Sequence, residues 1–154
     1  MANSQAMCTS FKQDLLNAVH AFSTNNPAHT AATADTFKAA LYLASASLGA
    51  GTTAYSSTGE VTGTNYSAGG VTVTNATAPT TSGTTAYWTP SASITYTNVT
   101  LTTAFDAVLI YNSTQSNKAV SVHTFGSQTI TAGTFTLTMP SNTTTTALLR
   151  LSTT

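Results

Sequence analysis

Charge is what this sequence has least of. Asp, Glu, Lys and Arg together make up 5% of 154 residues, where an ordinary soluble domain has about 25%. The formal net charge is +0, and Lys12, Lys38, Lys118 and Arg150 lie far apart along the chain. Electrostatic binding of nucleic acid needs clustered cations on phosphate, so nucleic acid is excluded as a partner. Cys8 is the single cysteine, which excludes an intrachain disulfide. No apolar run approaches the roughly 18 residues of a spanning helix, so no membrane partner is expected. Met1–Gln5 shows neither a basic nor an apolar signal region, which predicts synthesis in a cytosol. A near-zero charge also works against colloidal solubility of a free monomer. Such a surface suits a protein that spends its working life covered by neighbours.

What is present argues against disorder. The chain carries six Tyr, six Phe and one Trp, and its dominant polar residue is Thr, which is β-branched and favours strands. Its length suits one domain with a real core. Only the first 34 residues have helical character. Phe11, Leu15, Leu16, Val19 and Phe22 recur on one face of a 3.6-residue period. Ser10 with Gln13 matches a capping box, Asp14 falls in the first turn, and Asn25-Asn26-Pro27 ends the pattern. This face has two readings: it closes one end of the domain, or it is an arm that docks on a partner.

From Asp35 to Thr154 the pattern is strand and turn. Phe37–Leu43 alternates with period two. Ser45–Ser57 is an irregular excursion, and Gly59–Thr64 is expected to hold a short strand around Val61. A turn at Ser67–Gly70 precedes a strand marked by Val71 and Val73. Ala78–Gly83 reads as a loop. Ala86–Thr89 and Ser93–Leu101 read as strands, and the apolar run Ala104–Tyr111 as the central one. Lys118–Phe125 and Thr129–Met139 read as strands split by a turn at Gly126–Gln128. The apolar phase slips at Ala132-Gly133, which predicts a bulge or tight turn there. Ala147–Leu151 closes the domain. No crossover helix follows Asp35, so the expected fold is mainly β: one antiparallel, jelly-roll-like β-sandwich of about eight strands with one N-terminal helix.

Reactive residues are few and scattered. His20, His29 and His123 share no metal-ligand spacing, and His20 and His123 read as surface or half-buried. Asp14, Asp35, Glu60 and Asp106 show no pairing of the kind glycoside hydrolysis needs. Asp106 shares parity with Val108 and Ile110 and reads as a turn cap or a lysine's partner. No Gly-x-Ser-x-Gly elbow and no phosphate loop occurs. The expectation is no enzyme, no metal and no cofactor. Tyr87-Trp88 could stack a sugar, but neighbours on a strand point to opposite faces, so at most one of them lies outside.

Asp35-Thr-Phe-Lys-Ala-Ala-Leu-Tyr, Thr53-Ala-Tyr and Gly59-Glu-Val-Thr-Gly-Thr-Asn-Tyr-Ser-Ala-Gly-Gly-Val resemble small structural proteins of tailed bacteriophages. Phe105-Asp with Val108-Leu-Ile-Tyr-Asn, and Thr131-Ala-Gly-Thr-Phe-Thr-Leu-Thr-Met-Pro140, are similar to the same group. The resemblance covers most of Asp35–Leu151 and implies a capsid cement or decoration protein in the virion, made in the host cytoplasm. The implied partners are the major capsid protein and copies of itself, as a homo-dimer or homo-trimer. A tail or neck component, such as an adaptor or fibre-base domain, and a sugar-binding host-surface adhesin are the alternatives.

Overall fold

A computed structural model describes residues 2–24, 33–75 and 77–152. Its strands are β1 (Ala6–Met7), β2 (Phe37–Leu43), β3 (Val71–Thr72), β4 (Thr80–Ser82), β5 (Thr85–Trp88), β6 (Ile94–Asn112), β7 (Lys118–Leu137) and β8 (Leu149–Ser152), with one helix, α1 (Thr9–Leu16). They form two antiparallel sheets, ordered β1-β7-β6-β2-β3 and β4-β5-β8. This is the expected eight-stranded sandwich with its N-terminal helix. The apolar run Ala104–Tyr111 lies within β6, in the middle of the larger sheet.

The core forms where the sheets meet. Phe22 stacks on Phe37 at 4.6 Å and meets Trp88 edge-on at 4.9 Å, which ties the larger sheet to the smaller. Residues on both sides of Ala34 share this core. β1 pairs with β7 through Ala6↔Val122 and Met7↔Ser121, and Cys8 and Phe11 are buried with Phe37 and Val122. The helix therefore packs on its own domain.

The helix is shorter than its pattern predicts. It stops at Leu16, so Val19 and Phe22 lie beyond it, and Asn25-Asn26-Pro27 falls outside the described residues. The stop is a left-handed residue, Ala18, at φ 53°. Around it Ala18 N–H donates to Leu15 O and Val19 N–H to Asp14 O, which satisfies the last carbonyls. The start differs too. Cys8 occupies the N-cap position without a side-chain cap, and Ser10 Oγ donates instead to Thr52 O at 3.4 Å. Asp14 lies past the first turn, where Lys118 Nζ reaches it at 2.9 Å. Alanine is strained in the left-handed region by about 1–2 kcal/mol. Ala18→Gly is therefore expected to stabilise the fold by about 1 kcal/mol in chemical denaturation, after the entropy glycine adds to the unfolded chain.

Four strand expectations change. Ser93–Leu101 and Ala104–Tyr111 join in one strand, β6. The supposed turn at Gly126–Gln128 is continuous β7. Thr80–Ser82, read as loop, is the exposed edge strand β4. Around Val61 there is no strand, only isolated bridges at Glu60 and Thr64. The predicted slip at Ala132-Gly133 is present. Ala132 has φ 47°, and the span Gly133 to Ile130 on β7 faces the shorter span Val99 to Leu101 on β6. A matching irregularity at Asn98, φ 52°, sits between Tyr96 and Val99 on β6. The two offset each other, so the register recovers and the apolar faces of both strands stay inward.

Candidate functional site

The segment before Ala34 and the smaller sheet bound an apolar groove. Phe11 and Leu15 on α1, Phe22 beyond it, Tyr87 and Trp88 on β5 and Leu151 on β8 supply its walls. Three of the five residues of the predicted contact face thus converge here. Phe11 and Phe22 are buried and Leu15 half-buried, while Leu16 points to solvent, 91% exposed, and Val19 is half-buried outside the groove. Leu151 is 48% exposed at the groove's rim. Trp88 is inside, its Nε1–H donating to Asn75 Oδ1 and Thr77 O, both at 2.9 Å. That removes Trp88 as a sugar-stacking platform and leaves only Tyr87 partly outside.

Three of the four carboxylates go inward. Asp14, Asp35 and Glu60 are 6%, 9% and 6% exposed. Asp35 accepts from Ala21 N–H at 2.9 Å and Asn112 Nδ2 at 2.7 Å. Asp14 holds Lys118 at 2.9 and 3.1 Å. Glu60 is the acceptor at the centre of a tyrosine cage. Tyr55 Oη donates at 2.6 Å, Tyr66 Oη at 2.8 Å and Gly69 N–H at 2.8 Å. Tyr66 Oη also accepts from Leu41 N–H at 3.0 Å, so the cage fastens the loops around residues 55–69 to β2. Burial, with the bond to Glu60 second, pushes Tyr66 well above the usual phenol range. Among the described residues Asp106 bonds neither a lysine nor a turn amide; its Oδ1 accepts from Asn3 Nδ2 at 2.6 Å.

His20 is a core residue rather than a surface one. Its Nδ1 lies 2.9 Å from Asn112 Nδ2. The amide donates there, since Asn112 Oδ1 already accepts from Thr114 and Gln115 N–H. The imidazole proton therefore sits on Nε2, 3.6 Å from Asp14 Oδ2. Burial pulls His20 below the ordinary histidine range. His123 is half-buried beside Ser121 Oγ at 2.9 Å, and burial lowers it to about 4. Ser121 is almost fully buried, and no carboxylate among the described residues hydrogen-bonds His123. Burial pushes the Cys8 thiol up to about 11, which keeps it protonated and unreactive at neutral pH. Among the described residues no three His, Cys, Asp or Glu side chains gather as a metal site. His29 lies outside the described residues.

No family model, curated protein or solved structure matches the chain, so its functional reading rests on its own residues.

Proposed function

We propose that this chain is a structural virion protein of a tailed bacteriophage. It is a capsid cement or decoration protein, binding the major capsid protein lattice together with copies of itself. The observation that supports this most is where the charges go. Of four carboxylates, three are buried, and Lys118 is tied to one of them. Lys12 and Arg150 are the only charged residues among the described residues that are exposed rather than buried or half-buried. The remaining outer surface is largely hydroxyls and amides.

Such a surface gains little from standing alone in water as a free particle. It docks at low cost, because covering a neutral hydroxyl that finds a partner avoids the penalty of desolvating an ion. Repeated over a shell lattice, weak contacts of this kind sum to strong retention. The Thr53–Tyr55 and Gly59–Gly70 stretches, which carry part of the resemblance, form the Glu60 cage, a scaffold with no reactive group.

The test is a particle lacking this chain. Such shells are expected to open and release genome at a lower temperature than complete ones, with stability restored on adding the purified protein. Equal heat resistance with and without it would sink the reading. A few copies per particle rather than many, read from a stained gel of purified virions, would place it in the tail or neck instead.

A further inference from the structure

β6 and β7 run on together past both their neighbours. β2 leaves β6 at Phe105, and β1 leaves β7 at Val122. The outer edge of β6 is then covered by the chain around Thr64. Thr64 and Thr100 exchange backbone bonds at 3.2 and 3.1 Å, and Asn65 Nδ2 donates to Asn98 O at 2.8 Å. The outer edge of β7 has no such cover. Beyond Val122, no strand other than β6 pairs with it among the described residues.

Natural sheets blunt an open edge with Lys, Pro, bulges or a covering loop. From Ala119 to Met139 this chain has no charged residue and no proline. Bulges between Thr124 and Gln128 and at Ala132 bend part of the edge. In the last run, Gly133–Leu137, residues Phe135–Leu137 pair in unbroken register with β6, from Tyr96↔Phe135 to Ile94↔Leu137, and Gly133 pairs with Val99 across the irregularity at Asn98, which lies on β6. Phe135 and Leu137 face the core there, yet both are only half-buried; Thr134 and Thr136 face out. Phe135 lies against Phe105 and Phe125, at 5.2 Å from each.

The geometry points to Gly133–Leu137 as a self-pairing edge, joined antiparallel to the same segment of a second copy about a two-fold axis through Phe135. A two-fold normal to the sheet keeps the apolar face of each copy on the same side, so the half-covered Phe135 rings meet and the cores become continuous. On the outer face Thr134 pairs with Thr136 of the other copy, twice, extending the row that already joins Thr95 and Thr136 at 3.5 Å. Gly133 falls opposite Leu137, a small residue against a large one. Self-pairing brings no like charges together, because the segment carries none. This deepens the assembly part of the proposed function and selects the dimer over the trimer.

The experiment uses the purified full chain free of any particle, by sedimentation across a concentration series at low salt. The wild type is expected to be a dimer. T134K/T136K sets Lys against Lys at both outer-face positions and is expected to weaken the dimer roughly tenfold or more. T134K/T136E sets Lys against Glu in the same register and is expected to keep it. Far-UV circular dichroism checks that both variants fold. A monomeric wild type, an unaffected double-lysine variant, or equal dissociation of both variants overturns the pairing. None of these results bears on whether the chain is found in a virion, and absence from a virion leaves the dimer standing.

Discussion

Glu60→Ala is expected to cost about 4 kcal/mol of folding stability, measured by urea denaturation. The carboxylate accepts from Tyr55, Tyr66 and Gly69 inside a protein interior. Each buried donor left without an acceptor costs about 1–3 kcal/mol. Partial opening to water at Tyr55 sets the estimate towards the lower end of the sum over the three donors. Glu60→Gln keeps one carbonyl oxygen but turns an N–H₂ towards a donor, so an intermediate loss of about 2 kcal/mol is expected. The order wild type, Gln, Ala is the signature of an acceptor hub. Equal losses for the two variants would show that the side chain matters only as filler.

The second large effect lies at the other side of the same loop. Gly70 has φ 69°, and a Cβ there would overlap Ala39 O and lie 2.7 Å from Ala40 Cα. Those are backbone atoms of β2, held by the ladder to β6 and unable to swing aside. Gly70→Ala is expected to destabilise by about 3 kcal/mol or more, through displacement of the loop as well as left-handed strain. Gly69→Ala is the comparison. Its φ is 86°, but its nearest neighbour is Tyr111 Oη at 3.1 Å, a single side-chain atom rather than the backbone of a strand. Strain alone, about 1–2 kcal/mol, is expected there. Matching losses at the two glycines would show that the close approach to β2 contributes nothing.

The fold class was legible because the signal is local. Thr and aromatic residues alternating with turn residues encode half-buried strands wherever they pack. The Tyr87-Trp88 alternation was read correctly for the same reason. The bulge at Ala132 was visible because a slip in apolar phase is a backbone event written in sequence. The end of the helix left no such mark. Its left-handed residue is alanine, where glycine would have been the signal, and the apolar spacing continues through Val19 and Phe22 in a non-helical segment. β4 is three exposed polar residues and shows no alternation to detect. Gly126 looked like a turn, but in a two-stranded ribbon a glycine also fits a bulged strand.

The buried polar sites were illegible because their partners are distant in sequence. His20 is fixed by Asn112, and Asp14 by Lys118. The Glu60 cage depends on loops with no motif beyond two tyrosines and a Gly-Gly turn. Of the predicted contact face, Phe11, Leu15 and Phe22 do gather on one groove. They do so through tertiary packing rather than through a shared helix.

The pairing of β1 with β7 sets a timetable for biosynthesis. Residues 6 and 7 bond to residues 122 and 121, and Cys8 N–H donates to Val120 O. Residues 6 and 7 thus leave the ribosome long before the strand they dock on. At roughly 5–20 residues per second, its partner emerges on the order of ten seconds later. β2 waits likewise, since its neighbour β6 ends at Asn112. Such long-range closure predicts slow, late folding of the whole chain as one unit, with little structure kept by nascent fragments that stop short of β7.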